Sequence, residues 1–214
     1  MAEHLNEIEA RVLGSLVEKQ LTTPEYYPLT LNALTAACNQ KSNRDPVVSY
    51  PDEDVTTAVD SLRDKNLVYL FYGSSSRVVK YKHMLPNVYD LAPPEVAVIC
   101  VMLLRGAQTV GEFRERTGRL FEFSNVAEVN ETLDALMRRD EPLVVKLERQ
   151  AGQKEARYAH LLSGEVVQQP ASAAATLNVP RGDRIGELEG KVEAMQSEIA
   201  ALRAMFDEFK KQFE

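Results

Sequence analysis

Apolar residues near the start of the chain recur at helical spacing. Ile8, Val12, Leu16 and Val17 fall on one stripe of a helix, and Asn6 followed by Glu9 fits a capping box at its start. Leu31 to Cys38 predicts a second helix. A third runs from Asp52 to about Asn66, with Val55, Val59 and Leu62 on one face. Asp52, Glu53 and Asp54 suit the positive N-terminal end of that helix. The pattern then turns β-rich. LVYLFY (67–72) and RVVKYK (77–82) flank Gly73-Ser74-Ser75-Ser76, which predicts a hairpin.

The same order follows again. Pro94 and Glu95 open a helix through about Leu104. Thr109 with Glu112, and Asn125 with Glu128, fit two more capping boxes. The second of these precedes Val126, Val129, Leu133 and Leu136. PLVVKLE (142–148) and EARYAHL (155–161), around Ala151-Gly152-Gln153, predict another hairpin. Asp60-Ser61-Leu62 aligns with Asp134-Ala135-Leu136, and Lys80-Tyr81-Lys82-His83-Met84-Leu85 aligns with Arg157-Tyr158-Ala159-His160-Leu161-Leu162. Agreement of order and local sequence points to an internal duplication. Three helices closed by a hairpin is the winged-helix variant of the helix-turn-helix. The expected fold is therefore α+β and mostly helical, with tandem winged-helix domains at residues 1–90 and 91–162. Each unit has roughly 75 to 85 residues, near the lower limit for an independent core, so the two are expected to pack together.

The pattern changes after residue 162. SGEVVQQPASAAATLNVPRGD (163–183) has no sustained apolar period and reads as a flexible linker, with an ordered arm on the globular part as the alternative. Then Ile185, Leu188, Val192, Met195, Ile199, Leu202, Phe206, Phe209 and Phe213 recur in alternating steps of 3 and 4. This heptad pattern predicts a C-terminal coiled-coil helix at 184–214. β-branched residues at early a positions with Leu and Met at d favour a parallel pair, hence a homodimer. Docking of the stripe back on the same chain, or on a foreign chain, stays open.

The segment LTLNALTAACNQKSNRDPVVSY (29–50), together with DVTTAVDSLRDKNLV (54–68), closely resembles a bacterial family of unknown function typified by the YceH protein. Its most specific stretch is Cys-Asn-Gln-Lys-Ser-Asn-Arg-Asp-Pro at 38–46, and the similarity runs from about Asn6 through the second hairpin. The resemblance implies tandem winged helices and a C-terminal heptad segment. It carries over no catalytic residue.

Composition narrows the function. Lys plus Arg is 25 and Asp plus Glu is 32, a net charge of −7, which excludes a dominant polybasic surface but leaves room for a local one. No run of 18 apolar residues suggests a membrane span, and the first residues lack a signal-peptide pattern, so a cytoplasmic protein is expected. Cys38 and Cys100 are then expected as reduced thiols. Lys41, Asn43 and Arg44 lie in the polar loop before the third helix, and Arg77, Lys80 and Lys82 lie along the first hairpin. In a winged helix such a loop and wing flank the DNA-facing helix, where cations suit phosphates and Asn suits base edges. The same loop also reads as turn structure, with Arg44-Asp45 ending a turn before Pro46. Against base readout, the third helix presents Asp52-Glu53-Asp54 at the end that normally meets bases. In the second unit Arg114, Arg116 and Arg119 lie on its second helix and the following turn, and Arg138 and Arg139 end its third; all of these also read as solvated surface.

His4, His83 and His160 are far apart, no C-x-x-C pair occurs, and no phosphate loop, G-x-S-x-G or H-E-x-x-H is present. No catalytic residue, metal site or cofactor is expected. The expected function is that of a dimeric, non-enzymatic protein associated with double-stranded DNA, as a transcriptional regulator would be. A protein-docking scaffold is the alternative, favoured by the acidic helix starts and the negative net charge.

Overall fold

A computed structural model describes residues 4–72, 78–149, 153 and 155–165, all within one compact unit at 1–168. The described part is α+β and mostly helical. Helix α1 spans Glu7–Thr22, α2 Leu31–Cys38 and α3 Asp52–Asp64, followed by β1 (Val68–Phe71) and β2 (Lys80–His83). After the short helix α4 (Leu85–Tyr89) come α5 (Pro93–Arg105), α6 (Val110–Thr117) and α7 (Val126–Met137), then β3 (Val144–Lys146) and β4 (Tyr158–His160).

Local chemistry accounts for most boundaries. The Asn6 side chain accepts from the Glu9 N–H while the Glu9 carboxylate accepts from the Asn6 N–H, a complete capping box. Thr109 and Glu112 make the same reciprocal pair for α6. At α7 the arrangement is split: Asn125 accepts from the Glu128 N–H, but the Glu128 carboxylate accepts from Ser124 N–H. Helix α3 stops at Asp64, short of Asn66, because Asn66 adopts a left-handed φ of 59° and the Leu67 N–H reaches back to the Leu62 carbonyl. Helix α4 was not expected; its five residues, ended by Asp90 at φ 48°, are too few to show a period.

The helix–helix–helix–hairpin order occurs twice, and equivalent backbone bonds recur. Leu29, just before α2, exchanges backbone bonds with Tyr81 of β2; Gln108, just before α6, does the same with Tyr158 of β4. Met84 N–H donates to Leu67 O in the first copy, and Leu161 N–H to Leu143 O in the second. Both hairpins are antiparallel, Val68 facing His83 and Val144 facing His160.

The two copies share one continuous core, with α1 and α5 at its centre. Residues 9–18 of α1 are all buried, as are residues 96–104 of α5, so neither is a one-sided surface helix. They approach closely at Gly14, where a Cβ would lie 2.9 Å from Leu103 Cβ and from Leu104 Cδ2. The charged residues caught in α1 each have hydrogen-bond partners, although Arg11 Nε is left without one. Glu9 accepts from Lys65 Nζ at 2.6 Å, and Arg11 donates to the carbonyls of Cys38 and Pro46 at 3.1 and 2.7 Å. Burial alone would raise the Glu9 pKa, but the bonds from Lys65, Ser61 and Asn6 outweigh it and hold it below the ordinary carboxylate value.

The ends of the unit meet: Leu5 N–H donates to Leu162 O at 2.8 Å, and Gly164, at φ +93°, packs beside His4. The hairpin turn at 73–76, Arg77, the linker beyond Glu165 and every heptad position from Ile185 to Phe213 lie outside the described residues.

Candidate functional site: a basic cleft and an open hairpin face

The α2–α3 loop is held shut by its own polar residues. Asn39 donates to and accepts from the Tyr50 backbone, both at 2.8 Å. Arg44 turns inward. Its guanidinium grips the Glu18 carboxylate at 2.7 and 3.1 Å and donates through Nε to the Ala37 carbonyl at 3.1 Å. Arg44, expected to meet DNA phosphate, is therefore corrected to an internal strut. The reason is that Glu18 sits on a helix buried all round, and a buried carboxylate requires a hydrogen-bonded cation. Asn43 is exposed at φ 58°, but its Oδ1 accepts from Arg105 Nη2 at 2.6 Å. Lys41 is exposed and has no partner among the described residues.

The Asn43–Arg105 bond crosses from the first copy to the second. Beside it lies a cleft of about 530 Å³, walled by the end of α1, the 40–43 loop, the end of α5, and α6 with its following turn. Four cations line it, Lys19, Arg105, Arg116 and Arg119, against two carboxylates, Glu18 and Glu115. Thr22, Thr23, Gln40 and Ser42 add neutral polar groups. Glu18 is already occupied by Arg44, and Arg116 pairs with Glu112 at 3.2 Å. Arg119 is exposed without an ion-pair partner among the described residues. Burial, and then the positive charge of Arg116, lower the Arg105 pKa. The sequence singled out Arg116, Arg119 and the polar loop separately; the fold brings them together. Lys19 and Arg105 escaped notice because a cation in the last turn of a helix is already explained by the helix dipole. Arg114 is exposed and lies off the cleft, as do Lys41, Lys80 and Lys82.

The second feature is the outer face of the first hairpin. Tyr69 pairs across the strands with Lys82, and Phe71 with Lys80. Paired residues share a face, so aromatics and cations alternate there. Tyr69 is 50%, Phe71 45% and the adjoining Tyr72 67% exposed. Lys82 is exposed and Lys80 half-buried, and neither has a carboxylate partner among the described residues. The other face carries Val68, Leu70, Tyr81 and His83 toward the core. His83 N–H donates to the Tyr27 hydroxyl at 2.7 Å, and burial, with a smaller effect of Lys82, drops the His83 pKa to about 4. His160, at the equivalent position of β4, is lowered to about 4 by burial.

The third helices are not basic. Asp52, Glu53, Asp60 and Asp64 are exposed on α3, with Arg63 bound to Asp60 at 2.8 Å. On α7, Arg138 pairs with Asp134 at 3.2 Å. Arg139 donates to the Tyr89 and Asp90 carbonyls and lies 3.8 Å from Glu95, so it ties α4 to the second copy. Cys38 and Cys100 are buried free thiols whose pKa values burial pushes up. Among the described residues no group of three or more His, Cys, Asp or Glu could hold a metal ion, and no helix is long and apolar enough to cross a membrane.

Comparison with known proteins gives a family and no activity. Residues 5–153 match the family described as "Protein of unknown function, DUF480". A "UPF0502 protein" of Geotalea uraniireducens (strain Rf4) is 52% identical, covering 100% of both chains. Another, from Pelobacter propionicus (strain DSM 2379 / NBRC 103807 / OttBd1), is 50% identical over 98% of both. A third, from Vibrio atlanticus (strain LGP32), is 48% identical over 95% of this chain and 97% of its own.

Proposed function

The chain belongs to the family described as protein of unknown function DUF480, and on that premise we propose a non-enzymatic, cytoplasmic protein of tandem winged helices that associates with double-stranded DNA as a homodimer. The observation that carries this reading is the first hairpin's outer face, where Lys80 and Lys82 stand across from Phe71 and Tyr69 with no carboxylate partner among the described residues. In this reading each hairpin is a wing, and the Leu29–Tyr81 and Gln108–Tyr158 bridges supply the short third strand of each winged helix. The acidic surface of α3 opposes insertion into a groove, so contact runs through the wing to the phosphate backbone, with exposed Lys41 of the α2–α3 loop as a further phosphate contact. Heptads from Ile185 through Phe209 would pair two chains and present two wings. Two linked weak contacts raise avidity without any new contact.

The test is duplex binding by the full chain, followed by fluorescence anisotropy across salt concentrations. Lys80→Glu with Lys82→Glu should weaken binding at least tenfold and flatten the log–log salt slope by about 1.8, the loss of two phosphate contacts. Unchanged affinity and slope would remove the wing from the interface. A protein-docking role is the second reading, favoured by the exposed acids of α3 beside exposed Tyr69, Phe71 and Tyr72. Capture of one stoichiometric protein partner that survives nuclease treatment, with no duplex binding at about 50 mM salt, selects it.

A further inference from the structure

We propose that the cleft between the two copies is a binding site for a small polyanion of the phosphoryl class, held by Arg105, Arg116 and Arg119 with Lys19. Its volume of about 530 Å³ falls within the range of small-molecule sites. Its charge is unbalanced. Of its cations, Lys19 lies 3.8 Å from Glu18, which Arg44 also grips, and Arg116 pairs with Glu112 at 3.2 Å; Arg105 and Arg119 have no ion-pair partner among the described residues, and Glu115 is the one lining carboxylate left to face them. Burial and then the neighbouring Arg116 charge disfavour the Arg105 cation, and an anion in the cleft would relieve that cost. Guanidinium groups bind phosphoryl oxygens in bidentate fashion, and the Ser42 hydroxyl and the Gln40 amide N–H are neutral donors that can orient the ligand, while the Thr22 and Thr23 hydroxyls already donate to the Glu18 and Lys19 carbonyls.

The walls are rigid before any ligand arrives. Arg44 fixes the loop to α1, Asn39 fixes it to Tyr50, and Asn43 holds Arg105 at 2.6 Å. A preorganised site loses little entropy on binding. One wall comes from each copy, so an occupant bridges α1 to α6 and stabilises the pair.

The same oxyanion chemistry occurs in a free di- or triphosphate and in a nucleic-acid backbone, and the experiment separates them. Full-length protein is titrated with inorganic pyrophosphate by calorimetry at constant ionic strength, with thermal melts alongside. Saturable binding at a Kd of about 1 mM or tighter, a rise in Tm, and at least tenfold weakening in Arg116→Gln/Arg119→Gln are expected. Both substituted residues lie at the surface end of α6 and its turn, so the variant should fold; its melt without ligand verifies this. Absence of saturable binding, or equal binding by the variant, overturns the proposal. So does a variant that loses duplex binding while the parent ignores pyrophosphate, since the cleft would then belong to the DNA surface. The variant Lys80→Glu/Lys82→Glu should bind pyrophosphate normally, which keeps this inference separate from the wing.

Discussion

Arg44→Ala separates an internal strut from a surface phosphate contact. The Arg44 side chain has 0% exposure and its partner Glu18 11%. Truncation removes both bonds to Glu18, at 2.7 and 3.1 Å, and two donors from the Ala37 carbonyl, at 3.1 and 2.8 Å. Breaking a buried pair from one side costs about 3–5 kcal/mol, because the remaining charge is stranded. Glu18 keeps Lys19 at 3.8 Å and some contact with solvent, which places the loss near about 3 kcal/mol. For a unit of this size each kcal/mol moves Tm by about 2–4 °C, so a drop of roughly 6–12 °C is expected by calorimetry. Arg44→Met combined with Glu18→Leu should recover much of that loss, since neither charge is left unpaired, and the double-mutant cycle should return a large coupling term. Duplex affinity per folded molecule should not change. An Arg44→Ala protein that melts within about 1 °C of the parent but has lost duplex binding would refute the inward placement and restore Arg44 to the proposed DNA-contacting surface.

Two further outcomes follow from the core. His83 and His160 are held neutral with pKa values near 4, against an ordinary 6.5, so the unfolded chain takes up their protons first. Their stability contribution is whole above pH 6.5 and drains away as pH falls toward 4, on the order of 3 kcal/mol each at full loss. Melts should show Tm falling through that window and a flatter profile in His83→Gln/His160→Gln; a parent Tm equal at pH 7 and pH 4.5 contradicts the burial argument. Gly14→Ala should destabilise although alanine is the better helix former. The new Cβ would sit 2.9 Å from two leucine atoms of α5, an overpacking cost of about 1–3 kcal/mol against a propensity gain of about 1 kcal/mol. Gly14→Val should be worse still, and a variant more stable than the parent would mean that α1 and α5 do not approach so closely.

The local order of elements was written in the sequence. Capping boxes at Asn6 and Thr109, the apolar stripe of α3 and the duplicated hairpin strands all rest on contacts between near neighbours, so a short window of residues suffices to read them. Part of the hairpin face was legible as well, because alternation places Lys80 and Lys82 together; Tyr69 and Phe71 across from them follow from register, which the turn alone does not set. What tertiary structure decided was which charges face water. Arg44 and Lys41 look alike in a polar loop, yet Arg44 is buried because Glu18, 26 residues earlier, lies on a helix enclosed on every side. That enclosure comes from the second copy packing α5 against α1, which a stripe of four apolar residues does not announce. The cleft is likewise a product of packing: Asn43 and Arg105 meet across 62 residues, and its cations gather only because two copies of one small unit press their central helices together. Hydrophobic burial drives that association without regard to the charges at its margin, so the chain's pattern specifies the helices while their contact chooses the site.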